Sequence, residues 1–566
     1  MLPSELRLEN LRDEIIGIDS PIATPFGERP MVYCDYTASG RSLLFVERYL
    51  QGLLQTYANT HTEDDVTGRS TSRLLHEAER AIKRAVNAGP KGRIVACGTG
   101  ATGAIAKLQQ LLGVALPPAT RDLLERQLRG FLGDERAREF EGWRREHQPV
   151  VFVGPYEHHS NEISWRQGLA TVVPVGLAPD GGIDLDHLQQ LLQEPAHANR
   201  LRIGSFSAAS NVTGMKSDVH QIAAMLHRHG AIACFDYAAS GPYVEIDMNP
   251  GGDGWLDAIF VSPHKFLGGP GSSGILVFND RLYRRELPPS VAGGGTVDYV
   301  SPEDQDFIED IEEREKAGTP GILQTLRAAL AFEVKQALTP EAIEAREQSL
   351  LERAFSRWTS ADGIEILGNP DPQRRIGIVS FNVRDPRGSY LHPKFVTALL
   401  NDLFGIQSRA GCSCAGPYGH RLLGIGLDVS EQYRDWVRKG YHGIKPGWCR
   451  VGFHFTMDDI DADYVIDAVR FIAGAGHLFL PLYRFDPMTG IWKHEAAREP
   501  GSVLSLAEAL AAGPVRTTAL PAAERARRYS AHLAEAAQLA GSQAPPADDP
   551  SRLLDGRFGA LQFFST

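Results

Sequence analysis

Between residues 93 and 278 short apolar runs alternate with helical patterns, and this alternation limits the possible folds more than any other feature. The runs fall at 93–97, 150–153, 171–175, 201–207, 231–235, 258–262 and 274–278; helical stretches occupy 103–113, 121–146, 184–193 and 217–229. Continuous apolar runs suit strands buried on both faces, as in a sheet covered by crossover helices. The expectation is an α/β fold with a mainly parallel seven-stranded sheet. Ligands in such sheets sit beyond the carboxyl ends of the strands, so the residues that follow each run are the first candidates for a site.

The rest of the chain is organised around this block. Leu75, Ala78, Ile82 and Val86 recur at helical spacing and predict an amphipathic helix over 71–89, ended by Gly89-Pro90. A helical stretch at 321–358 leads into a second, smaller α+β domain with strands near 376–382 and 448–455 and helices near 393–403 and 458–473. The tail predicts helices at 505–512 and 521–540 and a polar linker at 541–550. The domain boundaries read as 1–40 for an N-terminal segment, 41–325 for the large domain, 326–500 for the small domain and 501–566 for a helical extension. A chain of 566 residues is long enough for two or three cores.

Composition narrows the class. A net charge of −12, with the Arg-rich stretch 121–146 matched by Asp and Glu, argues against a nucleic-acid surface. The most apolar long window, 464–482, is interrupted by Asp467, Arg470 and His477, and the N-terminus has no signal-peptide pattern, so no membrane association is expected. Six cysteines do not make a disulfide framework, and a reducing cytoplasm is the expected compartment. Cys34, Cys97, Cys234 and Cys449 lie beside apolar residues and read as core; Cys412 and Cys414 share a glycine-flanked loop.

Several strand ends carry chemistry. Ser262-Pro263-His264-Lys265 closes one run and precedes a glycine-rich loop, placing an amine at a cleft. Cys234-Phe235-Asp236 ends another run in a carboxylate. Glu157-His158-His159-Ser160-Asn161 follows the run at 150–153; no further ligand stands at motif spacing from the paired histidines, so no metal is expected. Cys97-Gly98-Thr99-Gly100-Ala101-Thr102-Gly103 joins a strand to a helix, a junction where backbone amides bind phosphate, and it lacks the Gly-Lys-Ser/Thr ending of a nucleotide loop.

In that order, with Ser210-Asn211-Val212-Thr213-Gly214, Gly293-Gly294-Gly295-Thr296 and Ala317-Gly318-Thr319-Pro320 between and after them, these motifs resemble the class V aminotransferase and cysteine desulfurase family over roughly residues 30–475. The resemblance implies fold type I of the pyridoxal 5′-phosphate (PLP) dependent transferases. It implies that Lys265 binds the cofactor covalently and shuttles protons, that Asp236 pairs with the ring nitrogen, that His158 stacks on the ring and that Asn211 lies near the ring hydroxyl. Gly100, Ala101, Thr102, Ser262 and His264 resemble phosphate contacts. Thr296, with Gly295, would reach the phosphate of a neighbouring subunit, which implies a homodimer. Arg450 matches the arginine that grips the substrate carboxylate, for which a bidentate guanidinium is suited.

Ser408-Arg409-Ala410-Gly411-Cys412-Ser413-Cys414-Ala415-Gly416-Pro417 resembles the desulfurase loop and sets Cys414 at the catalytic position, with Arg409 nearby. The implied reaction is cysteine desulfurase or selenocysteine lyase-type chemistry on an α-amino acid, with a sulfur-acceptor protein as partner. Position 239, three residues after Asp236, is alanine where the desulfurase branch usually has glutamine. The stretch 418–447 is longer than usual and reads either as a lid or as a surface insertion. Two alternatives stay open: another PLP reaction (C–S lyase, epimerase or aminotransferase) in which Cys414 is dispensable, and a scaffold that retains only the fold. Cys412 has no counterpart in the resemblance.

Overall fold

All seven apolar runs pair into one sheet. In the computed structural model, which describes residues 6–60, 62, 64–98, 100–497, 518–544, 558 and 561–565, the strands are β1 (Gly92–Cys97), β2 (Val150–Val153), β3 (Thr171–Pro174), β4 (Arg202–Ser207), β5 (Ile232–Asp236), β6 (Ala258–Val261) and β7 (Gly274–Asn279). Their order is β1-β7-β6-β5-β4-β2-β3. Neighbours from β6 to β3 are parallel, whereas β7 runs antiparallel to both β1 and β6. Every residue of β2 and β6 is buried, as expected for strands covered on both faces. Register aligns the carboxyl ends: Ser207 pairs with Asp236, and Asp236 with Phe260.

This sheet belongs to a compact unit made of Ser39–Asn211 and Met215–Glu341. Helix α1 (Val66–Ala85) buries Leu75, Ala78 and Ile82, but it starts five residues before the expected 71, because the Asp65 side chain accepts from the Gly68 amide at 2.7 Å and caps it. Helix α2 (Gly100–Leu111) follows β1. The single helix read at 121–146 is a hairpin of α3 (Pro118–Leu132) and α4 (Asp134–His147), split at Gly133 with φ 78°. The helix read at 321–358 is also two, α5 (Ile322–Leu338) and α6 (Pro340–Trp358), with Thr339 at φ 61° between them. Pro340 has no amide to continue the hydrogen-bond ladder and is tolerated at the first position of a new helix.

The second unit comprises Met1–Ala38, Val212–Gly214 and Ala342–Thr566. It holds a four-stranded antiparallel sheet of β8 (Ile364–Ile366), β9 (Ile378–Val383), β10 (Arg409–Gly411) and β11 (Trp448–Gly452), in the order β8-β9-β11-β10. Residues Val32–Tyr33 pair in parallel with Ile406–Gln407, which ties the N-terminal segment into this unit. By length and composition Asp459–Leu482 is apolar enough to cross a membrane, but Val465, Ile466, Val469 and Ile472 of its helix α7 (Asp459–Ala475) are buried in the core of this unit.

The C-terminal helix α8 (Ala522–Ser542) packs onto α7. Tyr529 stacks on Tyr464 with centroids 3.9 Å apart and donates to Asp461 at 3.1 Å. Arg525 bonds Asp458 and Asp461, while Arg12 bonds Asp461 at 3.1 Å and Asp19 at 2.6 Å. Two buried guanidiniums thus share the one buried carboxylate of Asp461, an arrangement in which losing one member strands the others. The helix read at 505–512 lies outside the described residues, as does most of the linker read at 541–550. The stretch 418–447 contains helix Leu427–Arg438; Trp436 of this helix and Tyr441 after it pack on Phe558 at 4.7 and 5.2 Å, and Tyr433 donates to the Leu561 carbonyl at 3.0 Å.

Candidate active site

Beyond the carboxyl ends of β2, β4, β5 and β6 lies a cavity of about 190 Å³. Lys265, Asp236, His158, Asn211, Ala101, Thr102, Ser262 and His264 all line it, together with Ser160, Ser207, Ala209, Ala238 and Ala239. The topology accounts for the convergence, since each group follows the end of a strand in one aligned register.

Asp236 is the last residue of β5 and is 4% exposed. Burial pushes its carboxyl up; the Ala238 amide, donating at 2.8 Å, and the charge of Lys265 pull the other way. Lys265 ends a short 3-10 turn begun at Pro263, and its amide donates to the Ser262 carbonyl at 3.0 Å, which fixes where its side chain leaves the backbone. Beside it the His264 imidazole is pushed down to about 4, first by burial and then by the Lys265 charge, so it stays neutral at neutral pH.

Gly100 opens α2 at φ +60°, and a Cβ there would meet His264 Cε1 at 2.7 Å and Ser262 Oγ at 2.8 Å. Ser262 Oγ accepts from the Ala101 amide at 2.9 Å, locking the helix start to the end of β6. A side chain at position 100 therefore displaces cavity-lining groups on both elements. Gly100→Ala is expected to weaken phosphate-cofactor binding by about ten-fold or more, read by fluorescence titration of the cofactor-free protein. Undiminished affinity would remove this corner from the binding site. Thr99 lies outside the described residues.

His158 is oriented by its neighbours. Its Nδ1 accepts from the Ser160 amide at 3.2 Å, and Ser160 Oγ lies 2.7 Å from Thr102 Oγ1, linking the turn after β2 to α2. With Nδ1 accepting, the proton of the neutral ring resides on Nε2. Beneath this turn lies Glu157, to which the sequence motif alone assigns no role. It accepts from the Gly154 amide (3.2 Å), the Ser207 amide (2.8 Å), Ser207 Oγ (2.7 Å) and Asn161 Nδ2 (2.7 Å). Burial pushes Glu157 up to about 7, against the pull of those hydrogen bonds and with a further push from Asp236. It fastens the end of β2 to the end of β4. The signal available in sequence was a carboxylate soon after a fully apolar run.

Thr296 does not line the cavity; it is fully buried and its hydroxyl donates to the Gly293 carbonyl at 2.7 Å. In the same unit His76, Glu79 and Glu313 converge, and Lys316 Nζ, 2.8 Å from both Glu79 and Glu313, supplies the positive charge there.

The remaining candidates belong to the second unit. Register sets Arg409 of β10 opposite Arg450 of β11, a pairing of like charges that needs a counter-ion. Asp35 provides it, accepting from Arg409 Nε at 2.9 Å and Arg450 Nη2 at 3.0 Å. Arg450 is 4% exposed, and Arg409 is half exposed. Asp35 was not among the residues singled out in sequence, where it stands far from both arginines. Cys412 and Cys414 are exposed, whereas Cys34, Cys97, Cys234 and Cys449 are buried, and burial pushes those four thiols up.

Comparison with known proteins places these features. The aminotransferase class-V family profile matches residues 140–465. A probable cysteine desulfurase of Halalkalibacterium halodurans is 29% identical over 393 residues, covering 69% of this chain and 85% of that protein. Another from Staphylococcus epidermidis is 31% identical over 273 residues, covering 47% of this chain and 61% of that protein. Among solved structures, the apo cysteine desulfurase of Thermococcus onnurineus superposes with a TM-score of 0.61 at 20% identity, covering 78% of this chain and 94% of that one. A cysteine desulfurase of Escherichia coli gives 0.60 at 20% identity, covering 82% and 98%. These two likenesses concern the fold.

The cavity residues suit PLP: a buried acid for the ring nitrogen, an amine at a strand end, an oriented imidazole, and a helix start where a Cβ at position 100 would intrude. The profile match spans more than half of the chain and takes in β2 to β7 and β11, and the chain belongs to the class-V aminotransferase family of PLP-dependent enzymes.

Proposed function

We propose that the chain is a cysteine desulfurase-type enzyme that takes sulfur from L-cysteine onto Cys414 and releases alanine. The observation that carries the reading is Cys414 itself: an exposed thiol in the loop between β10 and β11, in a chain whose four scattered cysteines are buried. The relatives of H. halodurans and S. epidermidis, both named probable cysteine desulfurases, support it.

Bound in the cavity, PLP supplies an electron-withdrawing ring that accepts the charge left when a bond at the amino acid's α-carbon breaks. Asp236 holds a proton on the ring nitrogen, and His158 covers the ring. Asn211 serves the ring hydroxyl, and Gly100, Ala101, Thr102, Ser262 and His264 serve the phosphate. Lys265 Nζ binds the cofactor at rest, takes the α-proton and returns it. Arg450, with Arg409, receives the substrate carboxylate. Cys414 Sγ bonds to the substrate sulfur; the bond from that sulfur to the β-carbon breaks, and the carbon keeps the electron pair and takes a proton. Alanine leaves, and Cys414 holds the sulfur as a persulfide until a thiol or a sulfur-acceptor protein removes it. The reading includes a homodimer in which exposed Gly295 serves the neighbouring subunit's phosphate site, Thr296 being buried within its own subunit, and a cytoplasmic location.

Ala239 lines the cavity without a side-chain donor, which favours a second reading as a C–S lyase, epimerase or aminotransferase. One assay separates them. With L-cysteine and a thiol reductant, the PLP-loaded protein is expected to form alanine and sulfide in equal amounts. Pyruvate and ammonia in place of alanine would make it a lyase, and D-cysteine an epimerase.

A further inference from the structure

Cys412 and Cys414 are the first and third residues of a four-residue turn closed by the Ala415 amide, which donates to the Cys412 carbonyl at 3.1 Å. The two central residues, Ser413 and Cys414, both take left-handed φ, 50° and 56°. That combination belongs to a type I′ turn, where Asn and Gly are the usual occupants. Neither residue is one that adopts it readily; each costs about 1 kcal/mol or more.

The turn is held from several sides. Before it, Gly411 is paired with Trp448 across β10 and β11. Within it, Ser413 Oγ accepts from the buried Trp448 Nε1 at 3.2 Å. After it, fully buried Ala415 caps the helix Gly416–Leu422. The effect is to keep two exposed thiols on one short turn. Cα atoms two residues apart in such a turn lie about 5–6 Å from each other, within the span of a disulfide. Nothing in the desulfurase chemistry proposed above uses the second thiol.

We propose that Cys412 is the resolving thiol of Cys414, so that an undischarged persulfide is released as sulfide and the pair closes as a disulfide. This rests on the reading of Cys414 as sulfur acceptor. The Cys412 thiolate attacks Cys414 Sγ, the bond from Cys414 Sγ to the outer sulfur breaks, and that sulfur leaves with the electron pair as hydrosulfide. The outer sulfur is reduced to sulfide while the two cysteines are oxidised to the disulfide, so no external oxidant is needed. A dithiol reductant then reopens the pair. The loop thereby acts as a brake: without an acceptor the enzyme stops after one sulfur instead of accumulating a reactive persulfide.

The test uses the full-length PLP-loaded protein, given one equivalent of L-cysteine per subunit anaerobically with no other thiol, with protein mass and free sulfide followed in time. The wild type is expected to release one sulfide per subunit and to end with Cys412 joined to Cys414. Cys412→Ser, with its cofactor absorbance checked as a sign of an intact fold, is expected to keep the extra sulfur on Cys414 and to release sulfide at least about ten-fold more slowly. Persulfides of equal lifetime in both proteins, with no disulfide, would overturn the role of Cys412 and leave Cys414 as acceptor. Absence of added sulfur from both proteins, with alanine formation that survives Cys414→Ser, would overturn the reading of Cys414 and the brake with it.

Discussion

Replacing Lys265 by alanine is expected to abolish turnover of any amino acid, a fall of about 10⁴-fold or more in kcat. The expectation follows from where the lysine stands. It lines the same cavity as Asp236 and is the one amine among the described lining residues; the neighbouring His264 is pushed down to about 4 and carries no charge at neutral pH. No other group in that lining can both bind an aldehyde covalently and return a proton to carbon. The charge of Lys265 also opposes the upward push of burial on Asp236, so Lys265→Ala removes a nucleophile and a counter-charge together. Lys265→Arg separates the two: a guanidinium keeps the charge but, ionised at any working pH, cannot act as a nucleophile. Both variants are expected to lose the visible absorbance of lysine-bound cofactor. Turnover within ten-fold of wild type in either variant would mean that another group performs the chemistry.

The large sheet was legible because its strands are short, mostly apolar runs separated by helical patterns, and a run of that length without a regular polar face fits a strand buried on both sides. The one strand whose direction was not read, β7, carried its own clue. Residues 262–273, which separate it from β6, carry Pro263, Gly268, Gly269, Pro270 and Gly271 and leave no room for a crossover helix, so an antiparallel neighbour follows. The helix boundaries were less legible for local reasons. Asp65 starts α1 one turn early through a cap, and Gly133 and the Thr339–Pro340 step each divide what periodicity had read as one helix. Apolar spacing reports which face of a helix is buried; it says little about where the backbone turns.

The site residues at strand ends were legible for the same reason as the strands. His158, Asn211, Asp236, Ser262, His264 and Lys265 each follow or close an apolar run, and aligned register brings them to one cavity. Asp35 was not, because what singles it out is a contact with Arg409 and Arg450, 374 and 415 residues further along the chain. Glu157 stands in a legible motif with an illegible role; its importance lies in the four hydrogen bonds it accepts from β4 and its own turn, which no single segment displays.

Cys414→Ala is expected to leave cofactor binding intact and to lower alanine formation from L-cysteine by about 10³-fold, measured alongside sulfide. The size of the effect depends on whether another thiol can substitute. Cys34, Cys97, Cys234 and Cys449 cannot, since each is buried and burial raises its thiol, Cys97 to about 12 and Cys449 to about 11, so almost none is thiolate at neutral pH. Cys412 is the remaining exposed thiol, on the same turn as Cys414. Any activity left in Cys414→Ala should therefore disappear in the double variant Cys412→Ala/Cys414→Ala. Residual activity that survives both changes would require carbon–sulfur cleavage without an enzyme thiol, which is lyase chemistry, and the products would then be pyruvate and ammonia. Full alanine formation by Cys414→Ala would remove Cys414 from the reaction and pass the acceptor role to Cys412 or to an added thiol.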